Sequence, residues 1–157
     1  MFEVLAYVYE NYWRGDACPE LQQLGRKLSA VGFEADEIQQ ALVWLNGLTI
    51  AAQTTASETA FPATAPSSTS LRVYSVAEQD HLGAAGLGFV TFLESAGVLP
   101  SHMRELVLDR AMAVPGGPVC LDDLKIIVLM VYWSFGEEPD ALVLDELCDD
   151  TEDRVAH

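Results

Sequence analysis

The chain has 157 residues, half of them hydrophobic and only a fifth charged. Twenty-four Asp and Glu stand against eight Lys and Arg, a formal net charge of −16. Such a chain is too apolar for disorder throughout and has neither collagen-like nor cysteine-dense composition, and its charge opposes a phosphate backbone.

Leu5, Val8, Tyr9 and Tyr12 recur at helical spacing and predict a first helix over about residues 2–13. Gly15 and Asp16 end it. Pro19 suits a first helical position, with Glu20 in the first turn. Leu21, Leu24, Leu28 and Val31 then share one face. Gly32 fits a left-handed C′ position, and Phe33 is the apolar residue that often follows. Asp36 and Glu37 open the next helix, whose apolar face is Ile38, Ala41, Leu42 and Leu45, and Asn46-Gly47 close it. In residues 49–70, 18 of 22 are Ala, Thr, Ser or Pro, which reads as a flexible linker.

Leu71-Arg72-Val73-Tyr74 alternates like a short strand. Ser75 with Glu78 forms a capping box. The helix after it carries Leu82, Phe89, Phe92, Leu93 and Ala96, interrupted by Gly83, Gly86 and Gly88. At roughly 1 kcal/mol per glycine relative to Ala, either the helix breaks there or another backbone packs close. Ser101 caps a helix bearing Met103, Leu106, Val107 and Ala111, and Pro115-Gly116-Gly117-Pro118 is a loop. Asp122 and Asp123 complement the start of a helix that is apolar nearly all round to Phe135, hence central. Pro139 to Leu147 reads as a last, acidic helix.

The fold class expected is mainly α, in two helical lobes. A three-helix lobe over 1–48, helix-turn-helix-like and with Leu71–Tyr74 as the candidate wing of a winged helix, is joined by the 49–70 linker to a lobe over 71–150 centred on 121–135. Residues 151–157 form an acidic tail.

The opening residues lack a basic region, and Glu3 and Glu10 interrupt their apolar run, unlike a signal peptide. The longest apolar run, Ile126 to Trp133, is far short of the roughly 20 residues of a membrane span. Cys18, Cys120 and Cys148 are odd in number and widely spaced, which fits reduced thiols in a cytosol. Cys120, beside the apolar helix, is expected to be buried and inert. His81, His102 and His157 show no metal-ligand spacing and no evident partner, so neither metal nor cofactor is expected. No nucleophile elbow, P-loop or dinucleotide motif is present. His102 with Glu105 or Asp109 is the one acid–base pair the spacing offers.

Residues 136–157 hold nine acids and one base, half the net negative charge. Acids there favour a basic partner protein, and they also keep an apolar chain soluble. Tyr7 and Trp44 lie off the apolar faces of their helices, and exposed aromatics are enriched at interfaces. The partner-contact candidates are therefore Tyr7, Trp44, Asp145, Glu146, Asp149 and Asp150. The alternative is nucleic-acid binding by the 19–47 helix-turn-helix, with Gln39, Gln40 and Asn46 reading bases and Arg26 and Lys27 neutralising phosphate. Asp36 and Glu37 on the reading helix weigh against it.

Several blocks, in order along nearly the whole chain, resemble the bacterial Smg protein family. They are Met1-Phe2-Glu3-Val4-Leu5-Ala6-Tyr7, Val31-Gly32-Phe33 with Glu37-Ile38-Gln39-Gln40-Ala41-Leu42-Val43-Trp44-Leu45, Leu71-Arg72-Val73-Tyr74, Gly88-Phe89-Val90-Thr91-Phe92-Leu93-Glu94, Arg104-Glu105-Leu106-Val107 and Leu121-Asp122-Asp123-Leu124-Lys125. The 49–70 stretch is longer and richer in Ala and Thr than the resemblance leads one to expect. The resemblance implies a cytoplasmic protein whose biochemical role is not established, with genes often near those for DNA processing and for translation start or RNA modification. It assigns no catalytic or ligand residue.

Overall fold

A computed structural model describes residues 1–12, 20–59 and 73–137. The described residues form six helices and no strand: α1 (Phe2–Asn11), α2 (Leu21–Val31), α3 (Ala35–Thr59), α4 (Val76–Ser95), α5 (Ser101–Met112) and α6 (Leu121–Phe135). The mainly α expectation therefore holds. Val73 and Tyr74 are not in a strand, so these residues supply no wing to the first lobe. The helix expected over 139–147, with Cys18 and Cys148, lies outside the described residues.

The turn between α2 and α3 forms as its residues dictate. Gly32 adopts φ 115°, a left-handed value that costs glycine nothing. The Phe33 amide then reaches back to the Leu28 carbonyl at 3.3 Å, and the Gly32 amide to Ser29 at 3.2 Å. These bonds satisfy carbonyls that the end of α2 leaves open. Three residues, Gly32, Phe33 and Glu34, join α2 to α3.

α3 departs most from expectation. It does not stop at Asn46-Gly47 but runs to Thr59, absorbing the first half of the expected linker. Two causes are visible. Leu48 and Ala52 are buried, so the inward face continues four and eight residues beyond Trp44. The hydroxyls of Thr49, Thr54, Thr55 and Ser57 each donate to the carbonyl four residues back, at 2.9–3.0 Å. Polar side chains that elsewhere compete with the helix are thereby satisfied within it.

The two expected lobes share one core. α6 packs against α1, α3, α4 and α5, while α3 packs against α1, α2, α5 and α6. A single cluster of buried side chains runs from Val4 and Leu5 through Leu24, Leu28, Trp44 and Leu48 to Leu93, Met103, Leu124, Ile127 and Met130. Full burial of each large aliphatic is worth about 1.5–3 kcal/mol. The all-round apolarity of α6 thus marks the centre of the whole molecule rather than of one lobe.

Of the two outcomes offered for the glycines of α4, the break forms at Gly83, while what comes close at Gly86 is a side chain and not a backbone. Gly83 has φ 69° and ψ 171°, a kink that L side chains rarely enter. Gly86 is buried, and a Cβ there would stand 3.2 Å from Leu124 Cδ2, so its bareness lets α6 approach. Ser75 and Glu78 form the expected capping box.

The C-terminal end of α5 is held by rings from two other helices. Trp44 Nε1 on α3 donates to the Arg110 carbonyl at 3.1 Å. His81 Nε2 on α4 lies 3.0 Å from the Ala111 carbonyl; with a carbonyl as acceptor, that nitrogen carries the proton. The Val119 amide in turn donates to the His81 carbonyl at 2.8 Å. The last carbonyls of a helix have no partner within it, so these bonds join α3, α4 and α5 at one point.

Candidate functional site

Two surfaces stand out, and neither has the form of a catalytic centre. The first is a corner where α1 meets the α2–α3 turn. Glu3, Tyr7 and Glu10 are spaced four and three apart, so they share one face of α1. Tyr7 is half-buried, and its ring meets Phe33 edge-on at 5.5 Å. Glu34 and Asp36, next along the chain, are exposed. The Met1 ammonium lies 3.8 Å from the Glu37 carboxylate. An aromatic pair is thus ringed by carboxylates, which suits a cationic or cation-bearing partner.

The second surface is the outer side of α3. Trp44 corrects the expectation of an exposed aromatic: it is 3% exposed and locked to α5 by its indole N–H. Its neighbours on the helix are what face solvent. Gln39, Gln40, Val43 and Asn46 are exposed, Val43 at 62%. Gln39, Gln40, Val43 and Trp44 line one side of a cleft of about 310 Å³, and Arg110, Ala113 and Pro115 line the other. Arg110 lies flat on α3 at Gly47, where a Cβ would sit 2.2 Å from its guanidinium. That contact gives a mid-helix glycine its reason. It also turns the guanidinium back to Asp109, at 2.7 Å.

The residues of the nucleic-acid alternative are exposed. Arg26 and Lys27 lie on α2, and Gln39, Gln40 and Asn46 on α3. Lys27 Nζ stands 5.5 Å from the centre of the Tyr12 ring. Among the described residues the other cations turn inward. Arg104 is buried and paired with Glu94 on α4 and with Glu105 at 2.9 Å. Lys125 is 5% exposed, its Nζ 5.9 Å from the Phe89 ring centre. Among the described residues, Arg26 and Lys27 are the exposed cations. Nothing in the composition marks Arg104 and Lys125 as interior; only their place in apolar helical periods, beside Met103 and Leu124, carries that signal.

The acid–base candidates have structural company. Glu105 holds Arg104, Asp109 holds Arg110, and the His102 ring meets Phe135 edge-on at 5.8 Å. His81 does have a partner, the Ala111 carbonyl. Cys120 is exposed rather than buried, because it is the residue that precedes α6 and faces outward. Desolvation nonetheless pushes its thiol up, and the charges of Asp122 and Asp123 add to this, so the reactive thiolate is disfavoured. Asp122 and Asp123 sit in the first turn of α6, as expected. Among the described residues no three His, Cys, Asp or Glu gather as a metal site. No helix there is long and apolar enough to cross a membrane. Asp145, Glu146, Asp149 and Asp150 lie outside the described residues.

Comparison with known proteins places the chain. No solved structure matches it. It is 63% identical over 157 residues to the protein Smg homolog of Leptothrix cholodnii and 62% to that of Methylibium petroleiphilum, each alignment covering both chains completely. The protein Smg homolog of Herminiimonas arsenicoxydans is 46% identical, again over the full length of both. A family model described as a protein of unknown function, DUF494, matches residues 1–157. The chain therefore belongs to the DUF494 family, that of the Smg homologues.

Proposed function

We propose that this chain is a non-enzymatic cytosolic interaction protein that docks a basic partner protein. The observation that carries the reading is the division of charge between inside and outside. Arg104 and Lys125 are buried, Arg110 is folded onto α3 and Asp109, and the carboxylates of Glu3, Glu10, Glu34 and Asp36 face solvent around Tyr7. Among the described residues, exposed carboxylates thus far outnumber exposed cations, which are Arg26 and Lys27. The acids from Asp145 to Asp153 add to it. A field of one sign steers and selects partners of the other.

The test is capture from host cytosol on the immobilised full chain, with and without nuclease, over a range of salt. A basic protein that survives nuclease, releases as salt rises, and is weakened by deleting residues 145–157 or by Tyr7→Ala with Glu34→Lys supports the reading. Capture indifferent to salt and to both changes overturns it.

The second reading, nucleic-acid binding, draws on the helix-turn-helix formed by α2, Gly32 and α3, with Arg26 and Lys27 on the first helix. It predicts partners lost on nuclease treatment and direct binding abolished by Arg26→Ala/Lys27→Ala. Among the described residues, two exposed cations stand against many outward carboxylates, which puts this reading second.

A further inference from the structure

We infer that the outer face of α3 is a self-association face, on which a second copy of this chain packs. In a chain with 32 charged residues, the twenty positions from Ile38 to Ser57 carry no charge at all. The outward residues of that run repeat with heptad spacing: Gln39, Val43, Asn46, Ile50 and Gln53, in alternating steps of four and three. All five are exposed, with Val43 at 62% and Ile50 at 56%. A helix that lacks charge on its solvent side is unusual, since that side is normally polar and charged.

The chemistry of the stripe selects its occupant. A basic partner needs carboxylates, and the stripe has none. A phosphate backbone needs cations, and it has none of those either. What complements a neutral stripe is another neutral stripe, and this chain supplies one. Val43 and Ile50 recur at a seven-residue interval, as β-branched side chains do at the core positions of paired helices. Between and beside them stand amides, which both donate and accept hydrogen bonds. Gln39, Asn46 and Gln53 can therefore pair with amides of the same kind across a two-fold axis, as carboxylates cannot. The cleft of about 310 Å³ beside Val43, walled by Ala113, Pro115 and Arg110, whose guanidinium is held by Asp109, offers room for an apolar side chain from the second copy. The stripe spans about 20 Å at 1.5 Å per residue. A contact made by one helix of that length is at the small end of specific interfaces, so a dissociation constant in the micromolar range is expected.

Salt separates this association from the docking proposed above. Docking a basic partner weakens as salt rises, whereas two chains of net charge −16 pack more tightly once their repulsion is screened.

The test is sedimentation equilibrium of the full chain at concentrations from about 1 to 200 μM, at low and high salt. The expected result is a mass rising from the 17.1 kDa monomer toward twice that value, with tighter association at high salt. Val43→Lys/Ile50→Lys should weaken association about 100-fold or more, with an unchanged far-UV circular dichroism spectrum. The sign is informative, because added lysines lower the net negative charge and would strengthen any association limited only by overall repulsion. Asn46→Asp, nearly the same shape, should weaken it about tenfold at low salt and less at high salt, where the repulsion between facing carboxylates is screened. A monomer at every concentration, or a dimer untouched by the double substitution, overturns the inference.

Discussion

Replacing Trp44 by phenylalanine tests the claim that this residue is a structural strut. The indole is 3% exposed and its Nε1–H donates at 3.1 Å to the Arg110 carbonyl, in the last turn of α5. Phenylalanine keeps most of the apolar contact and removes the donor. The Ala113 amide already bonds to Asp109 and the Val114 amide to Ala111, so the end of α5 holds no neighbouring amide ready to take the Trp44 role. The lost hydrogen bond costs about 1 kcal/mol, and the carbonyl left behind about 1–2 kcal/mol more where it stays dry. The smaller ring adds a cavity term, since packed interiors do not collapse fully. Together these predict about 2–3 kcal/mol, or a fall in Tm of roughly 4–12 °C for a chain of this size. Urea unfolding followed by far-UV circular dichroism measures it directly. Trp44→Ala should cost more, about 3–5 kcal/mol. If Trp44→Phe shifts stability by less than about 0.5 kcal/mol, the indole bond is not what ties α3 to α5, and the surface role first expected of Trp44 regains its standing.

Two further predictions concern groups that the sequence did not single out. Arg104→Ala, which leaves Glu94 without its buried partner on the α4–α5 contact, should lower stability by about 2–3 kcal/mol, whereas Arg104→Ala in a Glu94→Ala background should cost distinctly less; equal losses in the two backgrounds would show that the pair is not coupled. The Tyr132 hydroxyl donates to the Val98 carbonyl, and desolvation, with Glu137 adding, raises its pKa above 10.0. Because the folded value lies above the unfolded one, the favourable neutral form is fully retained below pH 10.0 and its stabilisation is lost as pH rises from there through the folded value. Urea titrations at increasing alkaline pH should show that loss in the native chain and a shallower one in Tyr132→Phe.

Local structure was legible in the sequence wherever a residue type has one physical use. Gly32 with Phe33 fixed the turn from α2 to α3, Ser75 with Glu78 fixed the start of α4, and the glycines of α4 announced the break that forms at Gly83. The boundary of α3 was not legible. Asn46-Gly47 has the form of a helix stop, and only the Arg110 guanidinium lying on Gly47 shows why a glycine stands inside the helix. That contact joins positions 63 residues apart, and no local pattern encodes it. The same holds for Trp44. It lies at the edge of the apolar stripe of a short helix, but its face becomes interior once α5 packs against α3.

The candidate site was legible in part for a related reason. Tyr7 could be placed off the apolar face of α1 by counting, but Phe33 beside it arrives through the α2–α3 turn and is visible only in three dimensions. Cations were harder still, because a formula assigns every Arg and Lys to solvent. Burying Arg104 and Lys125 costs solvation that neighbouring carboxylates and an aromatic ring must offset, and the consequence appears outside. An outward surface relieved of those cations is more uniformly acidic, which sharpens discrimination between basic and acidic partners. The outer side of α3 from Ile38 to Ser57 departs from that acidity, since it carries no charge. Two kinds of contact, one screened by salt and one strengthened by it, can then be made by one small helical chain without competing for the same residues.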